Sequence, residues 1–204
     1  MEKNEINEIN KINKINKKPY LGRLVQLSQD IGWELKLGIA TASRRVSISD
    51  SPGERLQGNQ ERMQEMEIVR IEEILGKDGN VRYFVEVSGR MGVSYDWHKL
   101  LEFGRATDKG ENLEDLNENQ LPQLGQSVYV EHVVKHAEYL GHHSKLERKV
   151  SEGMTINRII KNIRSNKPDN LEVYVGFSGT EEIAHWGFMA QNQEAWKQEY
   201  EKSK

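Results

Sequence analysis

Residues 66–87 read MEIVRIEEILGKDGNVRYFVEV, and this stretch decides the fold. Its two ends, residues 66–75 and 81–87, are rich in β-branched and aromatic side chains, which favour a pleated strand. Between them, Asp78-Gly79 supplies the positive φ angles that a tight turn needs. The stretch therefore predicts a β-hairpin.

The segment before the hairpin carries a second alternating pattern. Its apolar members are Trp33, Leu35, Leu37, Ile39, Val46 and Ile48. Alternation with period 2 predicts strands that bury one face and leave the other in water. Residues 50–65 are polar, so we expect a long loop between these strands and the hairpin.

Strand and helix signals alternate in the first part of the chain beyond the hairpin. Asp96 is a favoured N-cap for a short helix over residues 97–103, and Gly104 is a favoured residue just past its end. Residues 105–120 are acidic and rich in Asn, which predicts a polar loop. The valine-rich run over residues 128–139 then predicts a strand.

The last third of the chain begins with isoleucines at the spacing of one apolar helix face. These are Ile156, Ile159, Ile160 and Ile163. Residues 171–177 predict a strand, and Ser178 is placed to open a helical C-terminus. A strand–helix–strand unit over residues 127–177 would allow one parallel strand pair.

Together these signals predict an α+β fold. We expect a mainly antiparallel sheet with a β-hairpin, a few short helices packed on it, and a helical C-terminus. Residues 1–18 repeat Asn, a charged residue and Ile with period 3, which fits neither a helix nor a strand. This predicts a disordered tail, with folding of its isoleucines onto a partner as the alternative. Residues 19–204 are expected to form a single domain.

Composition excludes several classes of site. The chain has no cysteine, which rules out disulfides, zinc fingers, iron–sulfur clusters and thiol nucleophiles. Its net charge of −3 gives no global attraction to nucleic acid or anionic lipid. With no apolar run at the start of the chain and none of membrane-spanning length, we expect a cytoplasmic protein with no membrane contact.

Four of the six histidines fall within residues 132–143, beside Glu131 and Glu138. Imidazole is a common metal ligand and a proton carrier near neutral pH. The valines around His132 and His136 favour a strand, which sets these two residues about 13 Å apart. A metal-dependent hydrolase would need them to converge with His142 on Zn or Mn. Half-buried or solvated strand histidines are the simpler interpretation, so no cofactor is predicted.

A basic segment over residues 145–167 offers a nucleic-acid interface. It contains seven Lys and Arg against two Glu. The candidate phosphate contacts are Arg158, Lys161, Arg164 and Lys167, with Arg44 and Arg45 as an extension of the patch. Clustered cations can bind phosphates even in a chain of negative net charge. The competing interpretation is an amphipathic surface helix whose cations face the acidic loop around residues 108–118.

No P-loop, Rossmann, EF-hand or kinase pattern is present, and no catalytic residues are predicted. The preferred hypothesis is a non-enzymatic accessory subunit that docks to a macromolecular assembly such as a nucleoprotein complex. Trp196 and Tyr200, four residues apart on the C-terminal helix, are the predicted protein contacts. A nucleic-acid-binding module and a metal-dependent hydrolase are the two alternatives.

Overall fold

The computed structural model describes residues 18–29, 31–42, 62–90, 92–113, 121–136, 146–163 and 171–204. The strands are β1 Leu24–Ser28, β2 Ala40–Ala42, β3 Met63–Leu75, β4 Val81–Val87, β5 Val93–Asp96, β6 Ser127–His136, β7 Leu146–Ile163, β8 Leu171–Phe177 and β9 Ile183–His185. The helices are α1 Ile31–Lys36, α2 Trp97–Glu102 and α3 Trp186–Lys202. This is the α+β fold that the sequence predicts.

The predicted hairpin and the short helix after it are both confirmed. Strands β3 and β4 pair antiparallel up to Leu75 and Val81, and Gly79 takes a φ of 79° in the turn. The Asp78 carboxylate accepts the backbone N–H of Asn80, which is the local bond that favours this turn. At the start of α2, Asp96 accepts the backbone N–H of Lys99, so it caps the helix as expected.

The described strands form one sheet in the order β2-β5-β4-β3-β7-β8-β9. Strand β1 pairs with the first residues of β3, and β6 pairs with the first half of β7. The second half of β7 pairs with β3 on one side and β8 on the other. Every pairing among the described strands is antiparallel, so the predicted parallel pair over residues 127–177 is wrong.

The isoleucines of β7 explain that error. Residues 146–163 form a single 18-residue strand and not the predicted helix over residues 156–163. Ile159 and Ile160 are both buried although they point to opposite faces of the sheet, and a bulge shifts the register next to Ile156. Burial on both faces imitates the spacing of a helix, while the β-branched side chains favour the strand.

Two further elements differ from the sequence prediction. The alternating residues 33–39 begin in helix α1. Trp33 in that helix and Leu37 just after it are 47% and 39% exposed, so they mark no core face. The residue that α1 buries is Glu34, whose carboxylate accepts the backbone N–H of Ser28 at 2.6 Å. At the C-terminus, strand β9 precedes the helix, which starts at Trp186 and not at Ser178.

Two hydrophobic clusters lie on the same face of the sheet, which we call the packed face. The first contains Ile71, Val85 and Ile163 of the sheet and is covered by β1, α1 and α2. The second contains Ile159, Val173 and Val175 and is covered by α3 through Met189 and Trp196. These residues are direct cross-strand neighbours or lie two positions apart, so they share one side of the pleat.

The buried side chain of Arg23 joins β1 to the segment that follows α2. Its Nε donates to the carbonyl of Thr107 at 2.6 Å, and its guanidinium lies 4.9 Å from the ring centre of Trp97. A terminal nitrogen also contacts the carboxylate of Asp108 at 3.1 Å, but that carboxylate is 77% exposed. The carbonyl and the aromatic ring are therefore the main partners that compensate the burial of this charge.

Replacing Arg23 by Ala should lower the free energy of unfolding by about 2–3 kcal/mol, because a buried hydrogen bond, a cation–π contact and packed methylenes are lost together. Urea unfolding measures this directly. The exposed Arg82→Ala variant is the matched control and should change stability by less than about 0.5 kcal/mol. Equal losses of unfolding free energy in the Arg23→Ala and Arg82→Ala variants would contradict the proposed role of Arg23.

Tyr95 makes stability depend on alkaline pH. It is fully buried, and burial, assisted by the negative charge of Glu34, raises its pKa above the ordinary value even though Arg90 donates to its hydroxyl at 2.8 Å. A raised pKa in the folded state means that the neutral phenol stabilises the fold below about pH 10. That stabilisation is lost as the pH rises through the folded-state pKa.

The unfolding free energy of the wild type should therefore fall above about pH 10, by up to about 1.4 kcal/mol per pH unit for this group, and Tyr95→Phe should fall less steeply. Urea unfolding of both proteins between pH 8 and 11 tests this. The difference in unfolding free energy between the wild type and Tyr95→Phe at pH 8 measures how much the loss of the hydroxyl itself destabilises the fold. Parallel curves up to pH 11 would show that Tyr95 does not carry the effect.

Candidate functional site

The sheet has a second face, opposite the two hydrophobic clusters, and we call it the open face. Three rows of directly paired residues cross it. The central row is Phe84, Glu72, Ile160, Tyr174 and His185. One flanking row is Glu86, Arg70, Asn162 and Glu172, and the other is Arg82, Ile74, Arg158, Gly176 and Ile183.

Within the described part of the chain, no helix packs on the open face. The residues that α1, α2 and α3 contribute to the interior belong to the two clusters on the packed face. An antiparallel sheet commonly has one face on the core and the other in water, with apolar and polar residues alternating accordingly. The open face departs from that rule because aromatic rings stand among its charges.

Arginines and glutamates alternate across the open face and pair with one another. Arg70 forms ion pairs with Glu86 and, at 4.0 Å, with Glu72. On its other side, Glu72 lies 2.5 Å from the Nε of Arg158. Opposite charges on neighbouring strands stabilise the sheet locally. The result is a charge ladder across β4, β3 and β7 with no excess of positive charge.

Aromatic side chains lie on β4, β8 and β9 in the central row, which continues beyond Phe84 to Asp96 of β5. The rings of Tyr174 and His185 meet edge to face with their centres 5.3 Å apart. The hydroxyl of Tyr174 donates to the carboxylate of Glu172 at 3.1 Å. His185 is exposed, whereas Tyr174 and Phe84 are half-buried. Rings held in place by neighbours lose little conformational freedom when a partner covers them.

A cleft of about 460 Å³ opens where the third row meets the turn between β8 and β9. Ile74, Arg158 and Ile183 line it from the sheet, and Glu181 and Glu182 line it from the turn. Gly176 lies in its floor, where a Cβ would come within 3.2 Å of the Cβ of Arg158, which is a tight contact. The missing side chain lets the stem of Arg158 lie against the backbone of β8.

The two described members of the predicted basic patch do not lie together. Arg158 is on the open face and pairs with Glu72, whereas Lys161 is on the packed face. The Nζ of Lys161 lies 3.0 Å from the carboxylate of Glu73, and both side chains are only 12% exposed. The helix that was expected to unite them is a strand. Arg44, Arg45, Arg164 and Lys167 lie outside the described residues.

The histidine window is only partly described. His132 and His136 lie in β6, opposite Val150 and Leu146 of β7, so the strand expected from the valines is confirmed and the helical i,i+4 spacing does not occur. His142 lies outside the described residues. Among the residues that the structure describes, no group of three or more His, Cys, Asp or Glu side chains is placed to share a metal ion.

The predicted partner contacts at the C-terminus face the protein's own sheet. Trp196 is 8% exposed and belongs to the second hydrophobic cluster. The ring of Tyr200 packs on that of Tyr129 with the centres 5.4 Å apart. The exposed apolar residue of α3 is Phe188, at 62%, and its ring contacts Trp196 edge to face. Trp196 therefore anchors the helix and leaves little of its own surface for a partner.

Comparisons with protein-family models, with curated proteins and with solved structures find no match for this chain. Of the helices in the described segments, none has the length and apolar character required to cross a bilayer. The open face, with its aromatic rings and paired charges, is the surface of the described residues best suited to binding.

Removing one partner of the buried Lys161–Glu73 pair should lower the unfolding free energy by more than removing both partners. Lys161→Met leaves the Glu73 carboxylate buried without its cation, so we expect a loss of about 3 kcal/mol in unfolding free energy. Adding Glu73→Leu should restore most of that loss. Urea unfolding of the single and double variants gives the coupling energy. The exposed Lys197→Met on α3 is the control, and a loss of similar size there would contradict the assignment.

Proposed function

We propose that this protein is a non-enzymatic subunit that docks to a protein partner through the open face of its sheet. One observation carries the proposal: a sheet face with aromatic rings and arginines that none of the described helices covers. Tyr, Phe and Arg are enriched at the centres of protein interfaces, and arginine and tyrosine are frequent in binding hot spots.

The balance of charge on the open face favours a protein over a nucleic acid. Strands β4, β3, β7 and β8 place three arginines and three glutamates on this face, namely Arg70, Arg82, Arg158, Glu72, Glu86 and Glu172. A polyanion gains affinity by replacing counterions with protein cations, and cations already paired with carboxylates contribute little to that exchange. A protein partner with charges of both signs can instead match the ladder row by row.

The nucleic-acid module is the second candidate, and Phe84 and Tyr174 are what supports it. Open antiparallel sheets in some RNA-binding domains stack unpaired bases on aromatic side chains of their strands. Binding of that kind tolerates fewer phosphate contacts when stacking supplies much of the affinity. The two candidates differ in their response to salt, because phosphate binding weakens steeply as the salt concentration rises.

Affinity purification of the tagged protein from its native host, at two salt concentrations, is the decisive test. We expect one protein partner in an equimolar complex with the wild type. Tyr174→Ala and Arg82→Glu should each reduce its recovery about tenfold, the effect of removing one interface contact worth about 1.4 kcal/mol. Unfolding curves would establish that both variants remain folded.

Lys197→Glu on the exposed side of α3 is the matched control for Arg82→Glu and should leave recovery unchanged. A wild-type protein that elutes alone, with no equimolar partner at either salt concentration, would contradict docking. Recovery of RNA or DNA that disappears at the higher salt concentration and with Tyr174→Ala would favour the nucleic-acid candidate instead.

A further inference from the structure

We infer that the partner docked on the open face is a second copy of this chain, related to the first by a two-fold axis that runs along the central row. The inference rests on the proposed function and names the occupant of that surface. In the pair, the two open faces lie against each other, and every contact that one copy makes is repeated by the other.

The distribution of charge on the open face is the first argument. One flanking row carries Arg82 and Arg158 and no acidic residue, whereas the other carries Glu86 and Glu172 with the single cation Arg70. The face is therefore positive on one side of the central row and negative on the other. A two-fold axis along the central row places the positive row of each copy over the negative row of the other, so the face is complementary to itself.

Arg82 and Glu86 are the residues that this geometry brings together. They lie on β4 on either side of Phe84, so a rotation about the central row carries residue 82 of one copy over residue 86 of the other. Arg82 is exposed and forms no ion pair within the described part of the chain. The Glu86 carboxylate is held in place by Arg70 and by the backbone N–H of Gly92 at 3.2 Å. Facing sheets pack about 10 Å apart, a gap that an arginine and a glutamate span together.

The side chains on the axis are the second argument. Phe84 and Tyr174 meet the same residues of the other copy, and pairs of aromatic rings stabilise a contact beyond the area they bury. Glu72 also lies on the axis and faces its own counterpart. Its carboxylate lies between Arg70 at 4.0 Å and Arg158 at 2.5 Å, so its charge is compensated within each chain and does not drive the copies apart.

The size of the face sets the expected affinity. Five strands (β4, β3, β7, β8 and β9) about 4.8 Å apart and three rows about 6.8 Å apart cover an area of about 24 Å by 20 Å. Two such faces bury about 1,000 Å² in total, which is the lower limit for a specific interface and is typical of a transient one. We therefore expect a dimer with a Kd of about 10–100 μM in exchange with the monomer.

Sedimentation equilibrium of the purified full chain between about 1 and 300 μM tests the self-association. Arg82→Glu replaces an attractive contact by a repulsive one in each half of the dimer. Its homodimer should therefore be about a hundredfold weaker and escape detection, and its mixed dimer with the wild type should be about tenfold weaker. Titrating labelled wild type with the variant measures the mixed dimer. Lys197→Glu on the exposed side of α3 makes the same charge reversal away from the face and should change the Kd by less than about twofold.

A second variant tests the two-fold axis itself. Glu86→Lys makes residues 82 and 86 both positive, whereas Arg82→Glu makes both negative. Each variant alone should remain monomeric. An equimolar mixture should dimerise with a Kd within about tenfold of the wild type, because every contact between residues 82 and 86 then joins opposite charges.

Unfolding curves would establish that the variants are folded. If Glu86→Lys does not fold, Tyr174→Ala takes its place and should weaken the homodimer at least about tenfold. The inference is overturned by a wild type that stays monomeric at about 300 μM, by a dimer whose Kd is unchanged in Arg82→Glu and Tyr174→Ala, or by a mixture of the two folded charge variants that stays monomeric.

Purification from a host that also expresses the untagged chain separates this inference from the proposed function. Equimolar recovery of the untagged chain, reduced with tagged Arg82→Glu, supports both. Recovery of a different protein in its place, reduced with Tyr174→Ala, leaves docking intact and overturns the second copy as the partner. A purified chain that dimerises as expected while the host yields no protein partner supports the self-complementary face and contradicts docking in the host.

Discussion

The pairing of β3 with β7 is the constraint on which the rest of the structure depends. It runs over the register from Arg70 opposite Asn162 to Ile74 opposite Arg158, and it joins two groups of strands that each have their own hydrophobic cluster. A slip of one residue would exchange the two faces of β7 relative to β3. The partners on both faces oppose such a slip. Glu73 pairs with Lys161 on the packed face, and Glu72 pairs with Arg158 on the open face. Ion pairs of this kind contribute more to specificity of register than to net stability, because burial offsets much of their attraction.

The length of β7 follows from the same constraint. Its first half pairs with β6 and its second half lies between β3 and β8, so one strand serves both parts of the molecule. Because β7 is central there, its isoleucines are buried on both sides: Ile159 beneath α3 and Ile160 among the side chains of the open face. Ile160 can be buried without a covering helix because Glu72 and Tyr174 flank it directly in the central row. The charge ladder thus shields an apolar residue from water while keeping the face itself polar.

Sequence reasoning succeeds where the deciding interactions are local. The hairpin at Asp78-Gly79, the Asp96 cap and the strands around residues 128 and 171 all depend on neighbours within a few positions, and all are present. It fails at residues 156–163, where burial on both faces of the sheet imitates a helical period. It also fails at residues 33–39, where the chain begins in a helix and the alternating Trp33 and Leu37 are exposed. The open face could not be found in the same way. Glu72 and Phe84 belong to the predicted hairpin, but Tyr174 is distant from both in the sequence. Only the pairing of β7 with β3 and with β8 brings Tyr174 into their row. The alternation of apolar and polar residues in β3 and β4 indicates that one side of the hairpin is polar. It does not indicate which residues of other strands lie beside the hairpin on that side.

The positions of Arg158 and Lys161 show how strongly register determines function in such a chain. Three residues apart on a helix, they would form one positive edge suited to phosphates. On β7 they point to opposite sides of the sheet, and each meets a carboxylate of β3, because Glu72 and Glu73 are adjacent and therefore also diverge. The two cations of the basic segment whose side chains the structure describes thus form two separate ion pairs on opposite sides of the sheet, and they do not form one positive edge.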